Sequence, residues 1–140
     1  MDERVQKKLP IVQFEVDKSM PHFVIAGRFG SYNEYIDKCR RNPFEGAKMK
    51  RVDMEHTAWC MDEVASLHFD RVILHYRFFE PNRKRDKDNI FGYANKVILD
   101  ALQYMSVIDN DGWKEVENFT HDFFIDADYP RIEVYIEDVG

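Results

Sequence analysis

RVILHYRFFEPNRKRDKDNI, residues 71–90, changes character twice within one short stretch. Val72, Leu74, Tyr76 and Phe78 alternate with His75 and Arg77, the period of a half-buried strand over Arg71–Phe79. Glu80-Pro81-Asn82 disfavours a direct helical continuation, because the residue before proline is pushed out of the α region. Arg83 to Lys87 is therefore expected to be an exposed loop. Asp88 or Asn89 then fits the N-cap of a helix whose apolar face is Ile90, Ala94, Val97, Ile98, Ala101, Leu102 and Met105. Strand, basic-acidic loop and helix follow one another without a spacer.

Outward from this unit the pattern extends in both directions. Leu9–Val16 and His22–Ala26 read as two strands around the turn Asp17–Pro21, and Gly27–Ser31 breaks the run. From Tyr32 to about Leu67 helix formers dominate, with Pro43 and Gly46 dividing them into a short piece and a longer helix from about Phe44. Beyond the turn Asp109-Asn110-Asp111-Gly112, Val116–Ile125 and Arg131–Ile136 read as two strands, paired as a hairpin around Asp126–Pro130. The order strands, helices, strand, helix, strands predicts an α/β or α+β fold with a mixed sheet and packed helices, in a single domain over residues 1–140.

Composition sets limits on function. At 140 residues and 44% hydrophobic content the chain fills one core, and 33% charged residues with six Gly and five Pro are not the make-up of a disordered chain. No apolar run approaches the roughly 18 residues of a membrane helix, and no apolar segment follows the charged start Met1-Asp2-Glu3-Arg4, so a cytoplasmic protein without membrane contact is expected. Cys39 and Cys60 are far apart and lack CxxC spacing, which indicates neither a zinc knuckle nor a disulfide framework.

The net charge of −6 runs against a nucleic-acid partner, whose affinity comes largely from Lys and Arg on phosphates. Its distribution changes the reading. Residues 109–140 hold ten acids and two bases, leaving residues 1–108 at +2. The bases cluster in Lys38, Arg40, Arg41, Lys48, Lys50 and Arg51, and again in Arg83, Lys84, Arg85 and Lys87, so a cationic surface can exist on an acidic protein.

Asp86 and Asp88, one residue apart beside that second cluster, can project to one side and share a cation. Hard cations such as Mg²⁺ take carboxylate oxygens and keep waters, so a few acids and a substrate phosphate suffice. From spacing alone, helix capping with Arg and Lys as counter-charges ranks ahead as the explanation of the same residues. Asp111 follows the helix, which at 1.5 Å per residue is about 26 Å long from Asp88 to Met105, so it reaches the first pair only if the site is assembled in a less simple way. Asp109-Asn110-Asp111-Gly112 is not an EF-hand, because its Gly comes too early and Glu115 falls short of the bidentate position. An Asx-rich turn accounts for it.

Three motifs, Arg83-Lys84-Arg85-Asp86-Lys87-Asp88-Asn89-Ile90, Ile98-Leu99-Asp100-Ala101-Leu102 and Val107-Ile108-Asp109-Asn110-Asp111-Gly112-Trp113, together resemble the signature of the RusA family of Holliday junction resolvases, often carried by phages and prophages. The likeness spans roughly residues 70–137, and Gly27–Tyr35 is similar to the family's amino-terminal region. It implies a homodimeric, Mg²⁺-dependent endonuclease, with Mn²⁺ as a substitute, that cuts opposed strands of a four-way DNA junction in recombination and repair. It implies that Asp86, Asp88 and Asp111 are the metal-site carboxylates and that Lys96, four residues before Asp100, is the required lysine. In this chain four extra residues separate Asp88 from Lys96, about 12 Å of helical rise instead of about 6 Å.

The resemblance also favours Lys38, Arg40, Arg41, Lys48, Lys50 and Arg51 as a phosphate-contacting surface with Arg83, Lys84 and Arg85, against ordinary helix solvation. Phe29, Tyr32, Tyr35 and Phe44 are near enough in sequence to stack at a branch point, although core packing is expected for most. Two other functions fit the same residues: a metal nuclease acting on other branched or flap DNA, and a non-catalytic dimeric protein that binds branched DNA, with the acids acting as caps.

Overall fold

The computed structural model describes residues 11–140. Its elements are β1 (His22–Ala26), α1 (Tyr32–Arg41), α2 (Pro43–Trp59), β2 (Val72–Glu80), α3 (Lys87–Tyr104), β3 (Val116–Ile125) and β4 (Arg131–Asp138). Four strands form one mixed sheet in the order β1-β4-β2-β3, an α+β architecture with three helices, as the sequence pattern predicted.

The helix boundaries have local causes. Ser31 Oγ accepts from Glu34 N–H at 3.2 Å to open α1, and the last turn carries Lys38, Arg40 and Arg41 where the helix dipole favours cations. Asn42 ends α1 and starts α2, its Oδ1 accepting from Phe44 N–H at 2.9 Å, with Pro43 in the first helical turn. The turn between the helices is so short that they cross in contact at Gly46, which is buried; a Cβ there would collide with Cys39 Sγ and come within 3.3 Å of Cys39 backbone.

Two expectations change. Residues 11–16 form no strand, while Leu9 and Pro10, the start of that expected strand, lie outside the described residues. Gln13 and Phe14 give their N–H groups to the Asp122 carboxylate at 2.8 and 3.1 Å, so a side chain replaces the ladder partner a strand would need. Phe14 then stacks on His75 with ring centroids 4.0 Å apart. The second change is that β3 and β4 are not a hairpin. β2 lies between them, parallel to β3 and antiparallel to β4. The connection crosses the end of β2, where Asp126 N–H donates to Glu80 O at 2.8 Å and Asp126 Oδ1 accepts from Asp128 and Tyr129 N–H. A five-residue link easily spans two strand spacings, about 10 Å.

α3 covers one face of the sheet through Ile90, Tyr93, Ala94, Val97, Ile98, Ala101 and Leu102, all buried. Phe91 meets Tyr76 and Phe78 there, and the buried Tyr76 hydroxyl donates to Asn95 Oδ1 at 2.8 Å. The opposite face is unusually polar for a buried surface: His75, Arg77, Arg131, Glu133 and Tyr135 share it by register. No helix among the described residues is long and apolar enough to cross a membrane.

Gly46→Ala is expected to lower stability by about 1–3 kcal/mol through overpacking, and Cys39→Ala in the same chain to recover part of the loss by removing Sγ. Urea denaturation of both tests this; a Gly46→Ala midpoint equal to wild type rules the close approach out.

A pH dependence follows from Asp53, which accepts from the Tyr93 hydroxyl at 2.6 Å. Burial raises its carboxyl above the ordinary value, more than that hydrogen bond and nearby His56 lower it. The folded chain then keeps this proton to a higher pH than the unfolded chain. Its contribution favours the fold below the unfolded value and is lost as pH rises through the folded one. Asp53→Asn, which keeps the acceptor for Tyr93, should be more stable than wild type at pH 7, with the gap closing under acid. Denaturation at pH 3 and pH 7 reads it directly.

Candidate active site

A cavity of about 870 Å³ opens where β2 and β3 end and α3 begins. This convergence is a consequence of the parallel pairing: Phe79 is level with Phe124 and Glu80 with Ile125, so both carboxyl ends point to the amino terminus of the helix that joins the strands. Asp86 and Asp88 both line it, as do Arg83, Arg85 and Lys87.

Asp86, not Asp88 or Asn89, is the N-cap of α3. Its backbone is extended, its carbonyl accepts the first helical bond from Ile90 N–H at 3.2 Å, and its carboxylate makes no capping hydrogen bond. The helix starts earlier than the sequence suggested because Lys87 already takes helical geometry, which puts Asp88 in the first turn. Both acids are exposed. The helix dipole favours their negative charges at this end.

The loop between β2 and α3 is tied from beneath. Glu80, 5% exposed, accepts from Arg85 Nε at 3.1 Å and from Nη2 at 2.9 and 3.1 Å, while Arg28 Nη1 stands 3.5 Å away. Arg85 Nη1 also donates to Phe29 O at 2.7 Å. Arg85 was expected to contact DNA. Its donors are instead directed inward, so it clamps the loop that carries Asp86. Asn82 Oδ1 accepts from Lys84 N–H at 3.0 Å, which tightens the turn further and leaves Arg83 and Lys84 exposed at its tip.

The remaining site residues lie elsewhere. Asp111 is in the turn before β3, next to the start of β2, where Val116 N–H donates to Gly112 O and Val72 N–H to Glu115 O. α3 separates this end from Asp86 and Asp88 by its full length, about 27 Å for 18 residues. Among the described residues no group of three His, Cys, Asp or Glu side chains is placed to hold one metal ion. Lys96 is exposed in the middle of α3 and does not line the cavity. Two of the three expected acids are thus brought together in a single chain.

The α1–α2 bases are outside the cavity too. Lys38, Arg40, Arg41, Lys48 and Arg51 are exposed or half-exposed, whereas Lys50 pairs with Asp100 at 3.1 Å, a hydrogen bond that raises its pKa. Of the aromatics near them, Phe29 is buried, Tyr32 and Tyr35 pack against the core, and Phe44 is 80% exposed. The reading from sequence missed Glu80, Asn82, and the cavity wall formed by Phe123, Phe124 and Ile125. Glu80 beside Pro81 was a signal of a strand end, but only the parallel register puts the end of β3 at the acids.

Two carboxylates facing open space fit Mg²⁺, which proteins commonly hold with one or two carboxylates plus substrate phosphates. The chain matches no protein-family model, and no curated protein matches it.

Arg85→Ala leaves Glu80 buried with only Arg28 nearby and is expected to cost about 3 kcal/mol of stability, the scale of breaking a buried pair. Arg85→Lys should recover little, because a lysine cannot reproduce the two-pronged contact to Glu80 and the bond to Phe29 O. Thermal melts of the two variants decide it; equal stability of Arg85→Lys and wild type would contradict the clamp.

Proposed function

We propose that the chain is a Mg²⁺-dependent endodeoxyribonuclease of branched DNA, resolving four-way junctions as a homodimer, as the resemblance of its three motifs to the RusA family implies. The observation that carries the reading is the cavity in which Asp86 and Asp88 stand beside Lys87, Arg83 and the helix amino terminus. Anionic carboxylates crowded by exposed bases suit a divalent cation and a phosphodiester together, and helix amide groups favour a phosphate at the same place.

When bound, Mg²⁺ supplies activation of water and charge stabilisation at the leaving oxygen. The chain's own residues do the rest. Asp86 and Asp88 hold the cation, the Glu80–Arg85 pair keeps Asp86 in place, and Arg83, Lys84 and Lys87 attract and orient the backbone of the DNA. Lys38, Arg40, Arg41, Lys48 and Arg51 extend the cationic surface along α1 and α2.

The separation of Asp111 from the first two acids sets a condition on the dimeric part of the proposal. If all three acids serve one site, they come from two chains, Asp86 and Asp88 from one subunit and Asp111 from its partner, with two-fold symmetry repeating the arrangement. A pair of such sites suits paired cuts in a junction. The same separation leaves a second reading, a non-catalytic binder of branched DNA whose acids only cap α3.

Asp88→Asn is expected to abolish Mg²⁺-dependent cutting of a labelled four-way junction while sparing its binding; normal cutting by that variant would refute the site. Mixing Asp88→Asn with Asp111→Asn subunits should restore about a quarter of the wild-type sites, since half of the dimers are mixed and each has one intact site. Junction binding without cutting by wild type selects the binder.

A further inference from the structure

The cavity lining combines two chemistries, the charged Asp86, Lys87 and Asp88 and the end of β3, Phe123 to Ile125. Ile125 is 50% exposed, and the half-buried Phe123 ring stacks on Phe78 at 5.0 Å with the Lys87 ammonium over it, Nζ 5.5 Å from the centroid, so a base meets this ring only when the exposed Lys87 side chain swings aside toward the phosphate. A cation and a phosphate make no use of an apolar wall. A nucleobase does, because its π-face gains from an aromatic or aliphatic surface whatever its sequence. The volume is also at the scale of sites that enclose organic ligands, roughly 300–1,000 Å³.

We propose that this cavity receives one unstacked nucleotide of a DNA strand, its base against Phe123 and Ile125 and its phosphate on the side of Lys87 and the two acids. The inference rests on the nuclease reading and adds a substrate class to it: DNA with a base out of the helical stack. Charge selects the occupant, since Arg83 and Lys87 match a phosphate and the strand end matches the base. A base in continuous duplex is stacked on both faces and cannot reach such a wall, whereas one at a branch point is extruded at lower cost. The pocket therefore discriminates between branched and regular DNA by geometry, without reading sequence.

Four-way junctions bearing 2-aminopurine at single positions around the crossover test this with the full chain, using Ca²⁺ in place of Mg²⁺ so that the DNA stays intact. Wild type should raise the fluorescence several-fold at a crossover position and leave a continuous duplex unchanged. Phe123→Leu, which keeps bulk and removes the ring, and Ile125→Ala, at a half-exposed residue, should lose most of the rise and weaken junction binding by roughly tenfold, within the range for one stacked base. Lys18→Ala, an exposed change in the turn before β1 and part of neither the cavity nor the Asp111 turn, should behave as wild type. Tight junction binding with no fluorescence change at any position, or an undiminished rise in both variants, overturns the pocket and leaves the nuclease reading standing. No junction binding at all overturns both.

Discussion

The parallel pairing of β2 with β3 is the constraint from which the rest of the structure follows. Two parallel neighbours need a crossover, and α3 is that crossover, so its amino terminus must lie where β2 ends and its carboxyl terminus where β3 begins. Every residue of the β2–α3 loop is thereby placed at one end of the sheet and every residue of the α3–β3 turn at the other. Asp86 and Asp88 share a cavity with the end of β3 for this reason, and Asp111 is excluded from it for the same reason. Nothing in the side chains could reverse that assignment without breaking the sheet.

The face of the sheet opposite α3 is held by charge. Arg77 and Arg131 both pair with Glu133, at 2.6 and 2.9 Å, and Arg131 reaches Asp126 at 2.9 Å. Guanidinium groups also lie over rings, Arg131 above Phe79 at 3.6 Å and Arg77 near Phe124 at 4.9 Å. Arginine suits such positions because it is weakly hydrated, planar and always charged. His75, with Thr120 on one ring nitrogen and Glu137 on the other, is closed off from above by Phe14. Residues 13 and 14 are thus fastened by both polar and stacking contacts, an arrangement that satisfies Asp122 and shields the network at the same time.

The β2–loop–α3 unit was legible because three signals agree within it: a period of two, a proline, then a period near four. The division between α1 and α2 was legible from Pro43, whereas α2 ends at Trp59, well short of the helix-rich run read to about Leu67. What was not legible is non-local. Val116–Ile125 and Arg131–Ile136 carry the strand pattern of a hairpin, and only the competition for the edges of β2 decides that they flank it instead. The alternation also misled on depth, since His75 and Glu80 are as buried as their apolar neighbours. At the site, charge type was readable but not commitment: Arg83 and Arg85 look alike in the sequence, and one is at the tip of a turn while the other is spent on a buried glutamate. The placement of Asp111 across the molecule could have been inferred from helix length alone, and the parallel register makes it unavoidable.

Commitment of charges also reconciles an acidic chain with the DNA partner proposed for it. Many acids of residues 109–140 are engaged within the fold: Asp109 with His68, Glu117 with Arg71, Asp122 with two backbone N–H groups, Asp126 and Glu133 with arginines, Glu137 with His75. Carboxylates paired with arginine are compensated at short range, and at physiological salt a residual field fades over about 8 Å. Arg83 and Lys87 line the cavity and are exposed, with the exposed Lys84 beside Arg83 in the same loop, at the opposite end of α3 from Asp109. What a phosphate meets on approach is therefore set by those few groups and not by the formal total of −6. Net charge bears on solubility and long-range encounter, while the topology of the sheet decides which charges face the ligand.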